Sequence, residues 1–372
     1  MSHSNMYDYI CETPVVLRSI IKDRREITKE FVDFYKDKNI EQIYILGSGT
    51  SYHAGLNAKN FLEELLNMKV IVMYPTQFER GEKVFNTNTL VIGMSQGGQS
   101  LSTVAGLDSA TEKGLYTAAV SENPRALIFD HAATKTRIMV GNELAGAKTK
   151  GFAGSTLTIE LMLAELGIAK GIITEECVEG YIERMHRVID NLVNITEAAT
   201  AWYDRIRNEF LPAKRIIVVG YDNCYGDVLE GALKMLETVR QGVTGYDIEE
   251  FFHGIYNSIT ESAHVFYLAS KGDYKPRTVK LIEILSEWTP HNYLIGTAEG
   301  VDELQDKYCI APFTEDPLFS CWEYIIPLQI VACLAPQELG INPDIPKDPQ
   351  FHKRIGSKVL DGVRDNYVVE KA

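Results

Sequence analysis

The chain has 372 residues, which is too long for one ordinary hydrophobic core and suits two domains of about 150–200 residues each. Hydrophobic residues make up 45% of it and charged residues 24%, values that exclude wholesale disorder and collagen-like or coiled-coil architectures. Its 37 basic and 51 acidic side chains give a formal net charge of -14, which disfavours nucleic acid and anionic membrane as partners. We therefore expect any bound anion to be held locally, by backbone N–H groups, hydroxyls and one or two lysines.

The start of the chain, its apolar runs and its cysteines predict a soluble, cytoplasmic protein. Residues 1–10 lack the basic and then apolar pattern of a secretion signal. The longest apolar run, 324–336, is interrupted by Pro327 and Gln329 and is too short to span a bilayer. The six cysteines form no CxxC pair and show no metal-ligand spacing, so we expect reduced, mostly buried thiols and no metal site.

Predicted strands and helices alternate along the chain, as they do in parallel sheets covered by helices. After a helical segment at 1–40, the first half has predicted strands at Gln42–Leu46, Val70–Tyr74, Leu90–Met94, Thr117–Val120 and Arg137–Val140, with helices near Tyr52–Leu66 and Leu101–Lys113. A helical connector spans roughly 174–210, where neither Gly nor Pro occurs after Tyr181. The second half has predicted strands at Arg215–Val219, His264–Ala269, Asn292–Ile295 and Lys307–Ala311, with helices at Tyr225–Val239, Arg277–Glu287 and Cys321–Ala335.

Both halves open with an apolar strand, a loop of small residues and a helix. The first loop is Gly47-Ser48-Gly49-Thr50-Ser51, and the second is Gly220-Tyr221-Asp222-Asn223. We infer an internal duplication in which the second loop has lost its hydroxyl groups. Ligands of such sheets bind at the carboxyl ends of the strands.

The loop at 47–53 has the composition of an anion site. Its glycines allow a tight turn, and the free N–H groups in the first turn of the following helix attract an anion. Thr50 and Ser51 add hydroxyl donors, although these residues alone also fit an ordinary helix N-cap. A second loop of this kind, Ser95-Gln96-Gly97-Gly98-Gln99-Ser100, follows the third predicted strand. Together the loops predict an uncharged polar cup for a sugar phosphate, whereas neither has the GxxxxGK[ST] pattern or the full dinucleotide fingerprint.

These two strand–loop–helix motifs resemble the sugar isomerase (SIS) domain, in the duplicated form found in the isomerase half of glucosamine-6-phosphate synthase and in related deaminases and deglycases. The resemblance implies an α/β fold with two SIS domains, each a parallel sheet flanked by helices in a three-layer, flavodoxin-like arrangement. The implied phosphate-binding residues are Ser51, Ser95, Gln96 and Ser100. The implied sugar-binding residues are Ser48, Thr50, Gly97, Gly146 and Ser357. Gly97 stands where the synthase has a serine, so only its backbone N–H can donate.

The resemblance also divides the chain. We expect an N-terminal helical segment at 1–40, a first SIS domain at 41–195, a second at 196–345 and a C-terminal active-site tail at 346–372. Two segments of the first domain, Gly141-Asn142-Glu143 and Thr149-Lys150-Gly151-Phe152, are similar to the G-T-E and T-K-A-F segments that flank the sugar in the family.

A carboxylate and a lysine share one helix face in the stretch from Glu230 to Glu237. Lys234 and Glu237 are three residues apart, so a surface ion pair is the simplest interpretation. The apolar residues around them favour burial instead, which would raise the pKa of Glu237 toward that of a general base. The synthase family has a similar E-G-A-L-K-L-K-E stretch. The resemblance therefore implies that Glu237 moves the proton between C1 and C2 of the open-chain sugar, with Lys234 in the same catalytic set.

A histidine follows this stretch at the spacing that the family shows. His253 comes 16 residues after Glu237, within Glu250-x-x-His253-Gly254. A lone histidine is more often structural. The resemblance implies instead that His253 assists ring opening of the sugar and is supplied by the partner subunit of a homodimer.

The tail carries a candidate catalytic lysine. The residues from Asn342 to Val359 are similar to the family's tail, where a lysine preceded by a small residue reaches the sugar carbonyl and can form a Schiff base. Lys358 is the best match and Lys353 is its rival, because the preceding stretch is longer than in the synthase. A solvated basic patch is the alternative interpretation.

The resemblance implies aldose–ketose proton transfer coupled to making or breaking a C–N bond on a sugar phosphate. It implies no metal or organic cofactor, because this enolisation needs only a base, an acid and an imine. No glutaminase segment is recognisable, so we do not expect ammonia to come from glutamine. The favoured hypothesis is a glucosamine-6-phosphate deaminase-like enzyme that releases ammonia and a ketose phosphate. A fructosamine or glucoselysine 6-phosphate deglycase and a plain phosphosugar isomerase are alternatives. A non-catalytic sugar-phosphate sensor is another, although a sensor has no reason to keep Glu237, His253 and the tail lysine.

Overall fold

The computed structural model describes residues 5–302 and 304–359, so residues 1–4 and 360–372 of the expected terminal segments lie outside the described residues. The strands are β1 (Gln42–Leu46), β2 (Lys69–Met73), β3 (Thr89–Met94), β4 (Tyr116–Ser121), β5 (Thr134–Arg137), β6 (Arg215–Gly220), β7 (Gly242–Asp247), β8 (Ala263–Ala269), β9 (Asn292–Gly296) and β10 (Cys309–Ile310). The helices are α1 (Met6–Lys22), α2 (Arg24–Tyr35), α3 (Thr50–Leu66), α4 (Pro75–Arg80), α5 (Leu101–Glu112), α6 (Lys150–Ala169), α7 (Glu175–Phe210), α8 (Tyr225–Thr238), α9 (Ile248–Phe252), α10 (Lys275–Leu285), α11 (Cys321–Glu338) and α12 (Phe351–Ile355).

The strands form two sheets that share one topology. The first has the order β2-β1-β3-β4-β5 and the second the order β10-β9-β8-β6-β7, and every pairing is parallel. Numbered within its own half, each sheet has the order 2-1-3-4-5, which is the flavodoxin order. The predicted fold class is therefore confirmed, and the repeated order fits the inferred internal duplication.

The central strands are buried along their whole length, which is why their sequence pattern is easy to recognise. Every residue of β3 and of β8 is buried, and all except Thr89 and His264 are apolar or glycine, as expected for parallel strands covered on two faces. The predicted helical connector at 174–210 is confirmed as the 36-residue α7.

The predictions that were wrong or missing concern mainly the sheet edges. The strand predicted at Arg137–Val140 lies earlier in the chain, as β5, where Thr134-Lys135-Thr136-Arg137 alternates buried and more exposed residues. The edge strand β7 was not predicted because its two glycines and mostly partly exposed residues are typical of a turn. The strand predicted at Lys307–Ala311 shortens to the two residues of β10. Helix α6 was also not predicted.

The chain forms two compact units, each built around one sheet. The first-sheet unit comprises Val15–Leu144, Lys150–Glu183 and the described chain from Asp348 onward. The second-sheet unit comprises the described chain up to Pro14, Ala145–Thr149 and Arg184–Lys347. The start of the tail thus belongs to the unit that contains both hydroxyl-rich loops.

Helix α6 is the core helix of the first-sheet unit. It packs against α2 and α3, and nearly all of its residues are buried. Within the described part of the chain it is the one helix long and apolar enough to cross a membrane. Since it is covered by its own protein on nearly all sides, its apolar composition is that of a core helix.

Two stacked histidines lie at the start of β8 and just before β9 in the second-sheet unit. The ring centroids of His264 and His291 are 4.0 Å apart, and the two ring planes are nearly parallel. His264 Nδ1 lies 3.0 Å from the Tyr293 hydroxyl, which donates to Glu209 at 2.9 Å, and His291 Nδ1 contacts the same carboxylate at 2.8 Å. Burial, together with the neighbouring His291, lowers the pKa of His264 to about 4, while Glu209 opposes the shift.

This cluster makes the stability of the second-sheet unit depend on pH. The His264 pKa is about 4 in the folded protein and about 6.5 in an unfolded chain, so below pH 6.5 the unfolded state binds the proton first. We expect His264 to cost about 3 kcal/mol of unfolding free energy as the pH falls from 7 to 4. Urea unfolding of wild type and His264→Asn across this range measures the effect. Parallel loss of stability in the two proteins would contradict it.

Candidate active site

The first hydroxyl-rich loop connects β1 to α3. Gly49 precedes the helix with a φ of 56°, a conformation that favours glycine, and α3 begins at Thr50. The predicted residue Ser51 is buried in the first turn, Thr50 is half-buried and Ser48 is exposed. The N–H groups of this turn point out of the helix start and can bind an anion. The local geometry thus suits the phosphate role that the sequence predicts.

The second loop connects β3 to α5 and is held rigidly. Gly98 has a φ of 72°, and a Cβ there would lie 2.2 Å from the Cβ of Ala126, so only glycine fits. The Ser121 hydroxyl donates to the Gln96 carbonyl at 2.9 Å, and the Asn123 amide donates to the Gly97 carbonyl at 3.2 Å. Because its carbonyls are fixed in this way, the loop has one defined shape at the carboxyl end of β3.

Ser100, a predicted phosphate-binding residue, caps α5. Its hydroxyl oxygen accepts from the Thr103 N–H at 3.4 Å and from the Thr103 hydroxyl at 3.1 Å. An N-cap of this kind fixes the start of the helix. The Ser102 hydroxyl lies 3.1 Å from the same oxygen, so the Ser100 proton can be shared with Ser102 or be donated to an anion.

The side chain of Gln96 lies against the start of α6. Its Nε2 approaches Glu143 Oε2 at 3.5 Å, and the same carboxylate oxygen accepts from the Gly151 N–H at 3.0 Å. A Cβ on Gly151 would lie only 1.9 Å from Gln96 Nε2. Gly151 replaces the alanine of the family's T-K-A-F segment, so this placement of Gln96 depends on a departure from the family pattern.

The tail of the first-sheet unit lies along the second loop. Lys358 pairs with Ser100 in an antiparallel bridge, flanked by hydrogen bonds from the Leu101 N–H to the Ser357 carbonyl and from the Val359 N–H to the Gln99 carbonyl. We refer to residues 357–359 as the tail strand. Lys353 instead lies on the exposed helix α12. Of the two candidate lysines, the structure places Lys358 beside the predicted phosphate loop.

A histidine that the sequence did not single out also contacts the tail strand. His352 Nδ1 lies 2.8 Å from the Ser357 hydroxyl. Burial, and then the charge of Lys358, lower the pKa of His352. At neutral pH its ring is therefore uncharged and does not repel the ammonium of Lys358. The signal available in the sequence was only the spacing of five residues to Ser357.

The second-sheet unit contains a buried cluster of three charged side chains on α8. The Lys234 side chain is 2% exposed, and its Nζ lies 2.7 Å from Glu237 Oε2 and 3.4 Å from Glu230 Oε1. Burial disfavours the ammonium, but the two carboxylates outweigh burial and raise the pKa of Lys234. The Glu230 side chain is fully buried, whereas that of Glu237 is 37% exposed. The pair is thus not the surface ion pair of the simplest interpretation, and Glu237 is less enclosed than its apolar neighbours suggested.

His253 caps α9 elsewhere in this unit. Its ring is exposed, and Nδ1 lies 2.7 Å from the Glu249 carbonyl, which assigns the proton to Nδ1 and leaves Nε2 as the acceptor. No contact within residues 5–302 and 304–359 joins His253 to Glu237. The structure therefore brings Glu237 and Lys234 together and leaves His253 on the surface of the unit.

The remaining predicted residue, Gly146, is held in the second-sheet unit. Its N–H donates to the Asp344 carbonyl at 2.8 Å, and a Cβ there would lie 3.0 Å from Pro346 Cδ. Among the described residues, no group of three or more His, Cys, Asp or Glu side chains could hold a metal ion. The polar groups that the chain offers a ligand are backbone N–H groups, hydroxyls, amides, carboxylates and lysines.

Comparison with known proteins gives the family. Residues 37–165 match the SIS domain. The solved structure of a protein from Clostridium difficile 630, assigned as a phosphosugar isomerase, is 35% identical with a TM-score of 0.88 and covers 96% of this chain and 100% of that one. A protein from Salmonella typhimurium LT2, assigned as sugar binding, is 30% identical with a TM-score of 0.80 and covers 89% of this chain and 99% of that one. The chain belongs to the SIS-domain family of phosphosugar isomerases, and its predicted resemblance is confirmed.

A curated relative has a larger architecture. Glutamine–fructose-6-phosphate aminotransferase (isomerizing) from Gloeobacter violaceus is 26% identical over 353 residues, which are 92% of this chain and 57% of that protein. The chain thus spans little more than half the length of this relative.

The buried cluster on α8 leads to a prediction about the stability of the protein. Lys234→Met leaves the fully buried Glu230 carboxylate without its ammonium, so we expect unfolding free energy to fall by about 3–5 kcal/mol. The double variant Lys234→Met/Glu230→Gln removes the buried charge as well and should recover most of that loss. Urea unfolding of wild type and both variants tests this, and a double variant no more stable than the single one would disprove it.

Proposed function

We propose that this chain is a deaminase of amino-sugar phosphates, which converts glucosamine 6-phosphate or a close analogue to the ketose 6-phosphate and ammonia. The observation that carries the proposal is the pairing of Lys358 with Ser100, which puts an amine beside the second loop. An amine at that position can form an imine with the sugar carbonyl. Breaking the C–N bond of an amino sugar requires such an imine.

The base in this proposal is Glu237. Its carboxylate is partly exposed and is held by the buried ammonium of Lys234, which fixes its direction. Glu237 takes the proton from C2 of the open-chain 2-amino aldose and returns it to C1, while a proton of the amino group passes to the C1 oxygen, so that C1 becomes an alcohol and a C=N bond is left at C2. Attack of Lys358 on that carbon expels ammonia and forms a protein-bound imine, and water then hydrolyses that imine to the C2 ketone and the free lysine. The sum is amino sugar phosphate plus water to ketose phosphate plus ammonia, with no oxidant or reductant.

His253 fits the ring-opening role in this scheme. With its proton on Nδ1, the exposed Nε2 is free to exchange a proton with the ring oxygen or the anomeric hydroxyl. The absence of a contact with Glu237 within the described residues suits a histidine that serves a neighbouring subunit. We therefore include a homodimer with a shared site in the proposal.

The first test is the reaction itself. Incubation with glucosamine 6-phosphate, without glutamine, should release ammonia and fructose 6-phosphate in equal amounts. Glu237→Gln should lower the rate by at least about a hundredfold, because the variant has no base for the C2 proton. The control Glu283→Gln alters an exposed carboxylate on α10 and should behave as wild type. Coupled assays for the two products give both rates.

Other results of the same assay distinguish the alternatives. Release of an amino acid from fructosamine or glucoselysine 6-phosphate, with no ammonia from glucosamine 6-phosphate, would replace the proposal with a deglycase. Interconversion of aldose and ketose phosphates without amine release would indicate a plain isomerase. Lys358→Met should lose amine release while Lys353→Met retains it, and the reverse result would assign the imine to Lys353.

The shared site makes a separate prediction. Glu237→Gln and His253→Ala should each be inactive alone. After subunit exchange, random mixed dimers should recover about a quarter of wild-type activity, because half of the dimers then hold one intact site. Activity is measured before and after exchange at low protein concentration, with an unmixed sample of each variant as control. No recovery despite demonstrated exchange would show that one chain supplies both residues.

A further inference from the structure

The side chain of Gln99 is buried in the second loop with its amide unused. The residue is 4% exposed, and neither Nε2 nor Oε1 has a hydrogen-bond partner within residues 5–302 and 304–359. Leaving buried polar groups unpaired costs about 1–3 kcal/mol each, so such groups are rare and require an explanation. An unpaired, buried amide of this kind is explained if a bound ligand supplies its hydrogen-bond partners.

The loop cannot relax to satisfy this amide. Gln99 lies between Gly98, whose conformation and close neighbour allow no side chain, and Ser100, which caps α5. The carbonyls before it are held by Ser121 and Asn123. The unpaired amide is thus a fixed feature of the loop, at the crevice between β1 and β3 where sheets of this order bind ligands.

The tail strand lies over this residue. The Gln99 carbonyl accepts from the Val359 N–H at 3.3 Å, and the next residue, Ser100, pairs with Lys358. Two backbone hydrogen bonds join the tail strand to the second loop, and each contributes about 1 kcal/mol to stability. Moving the tail strand away from the loop breaks these two backbone bonds, and we take that movement as the route by which a ligand reaches the amide.

We propose that Gln99 binds a hydroxyl of the phosphosugar, with Nε2 donating to the hydroxyl oxygen and Oε1 accepting its proton, when the tail strand shifts. The amide can both donate and accept a hydrogen bond, and this property identifies a hydroxyl as its partner. A phosphate dianion accepts hydrogen bonds but has no proton for Oε1, whereas a hydroxyl does both. The proposal rests on the proposed function for the identity of the sugar. It adds that the second loop recognises the sugar chain as well as its phosphate.

The test compares affinities for a phosphosugar and for inorganic phosphate. Gln99→Met keeps the length of the side chain and removes both polar atoms. We expect its affinity for fructose 6-phosphate to fall about tenfold, since the loss of one such hydroxyl interaction corresponds to that factor. Its affinity for inorganic phosphate should not change. Its melting temperature should equal or exceed that of wild type, because an unpaired buried amide has been removed.

A merely structural glutamine would give the opposite pattern. If a hidden water completes the amide, Gln99→Met loses stability and keeps its affinity for fructose 6-phosphate, and the proposal is wrong. The control Gln77→Met alters an exposed glutamine on α4 and should change neither affinity. Gln99→Asn keeps the amide but withdraws it from the ligand, so it should also bind fructose 6-phosphate more weakly even if the methionine variant folds poorly. Wild-type affinity in that variant would overturn the proposal.

Calorimetric titration reads these affinities without any turnover, so the result is separable from the deaminase assay. Absence of ammonia release with a tenfold loss in Gln99→Met would reject the deaminase and keep the hydroxyl contact. Ammonia release by the wild type, with no loss of affinity for fructose 6-phosphate in Gln99→Met, would keep the deaminase and reject the hydroxyl contact. Equal affinity of the wild type for fructose 6-phosphate and inorganic phosphate would also reject the hydroxyl contact.

Discussion

The reversal of strand order at the centre of each sheet is the constraint from which the candidate site follows. In the first sheet, β2 is added on one side of β1 and β3 on the other, so the loops after β1 and β3 leave toward opposite faces and a crevice opens between them. Both hydroxyl-rich loops follow these two strands. Their pairing is thus a result of topology, which brings together segments that are far apart in the sequence.

The second sheet repeats the topology without the hydroxyl groups. Its corresponding loop after β6 contains Tyr221 and Asp222, and the buried charged cluster of this unit, which includes the proposed base, lies instead on α8. There the fully buried Glu230 and the partly exposed Glu237 share one ammonium. Lys234 is needed by the fold, because it neutralises Glu230, and by the proposed reaction, because it orients Glu237. A single substitution at this position therefore affects stability and activity together.

The sequence predicts what depends on local pattern and misses what depends on neighbours distant in the chain. The buried strands and both loops are recognisable because apolar runs end in small polar residues. Strands β5 and β7 lie at sheet edges, where the pattern of burial is weak. The orientation of Gln96 depends on Gly151, and the isolation of Gln99 depends on Gly98 and the tail strand. Those contacts join segments that no spacing rule relates, so the unpaired amide is visible only in three dimensions.

The first-sheet unit is built from segments that lie far apart in the sequence, and this affects the order in which its parts are synthesised. Its loops and core helix leave the ribosome early, whereas the tail strand that pairs with Ser100 is translated only after the entire second sheet. At synthesis rates of about 5–20 residues per second, the delay is on the order of tens of seconds. During that time the nascent first sheet has its loops but lacks the strand over Gln99. The second loop is thus joined by its tail strand only after the second sheet has been translated.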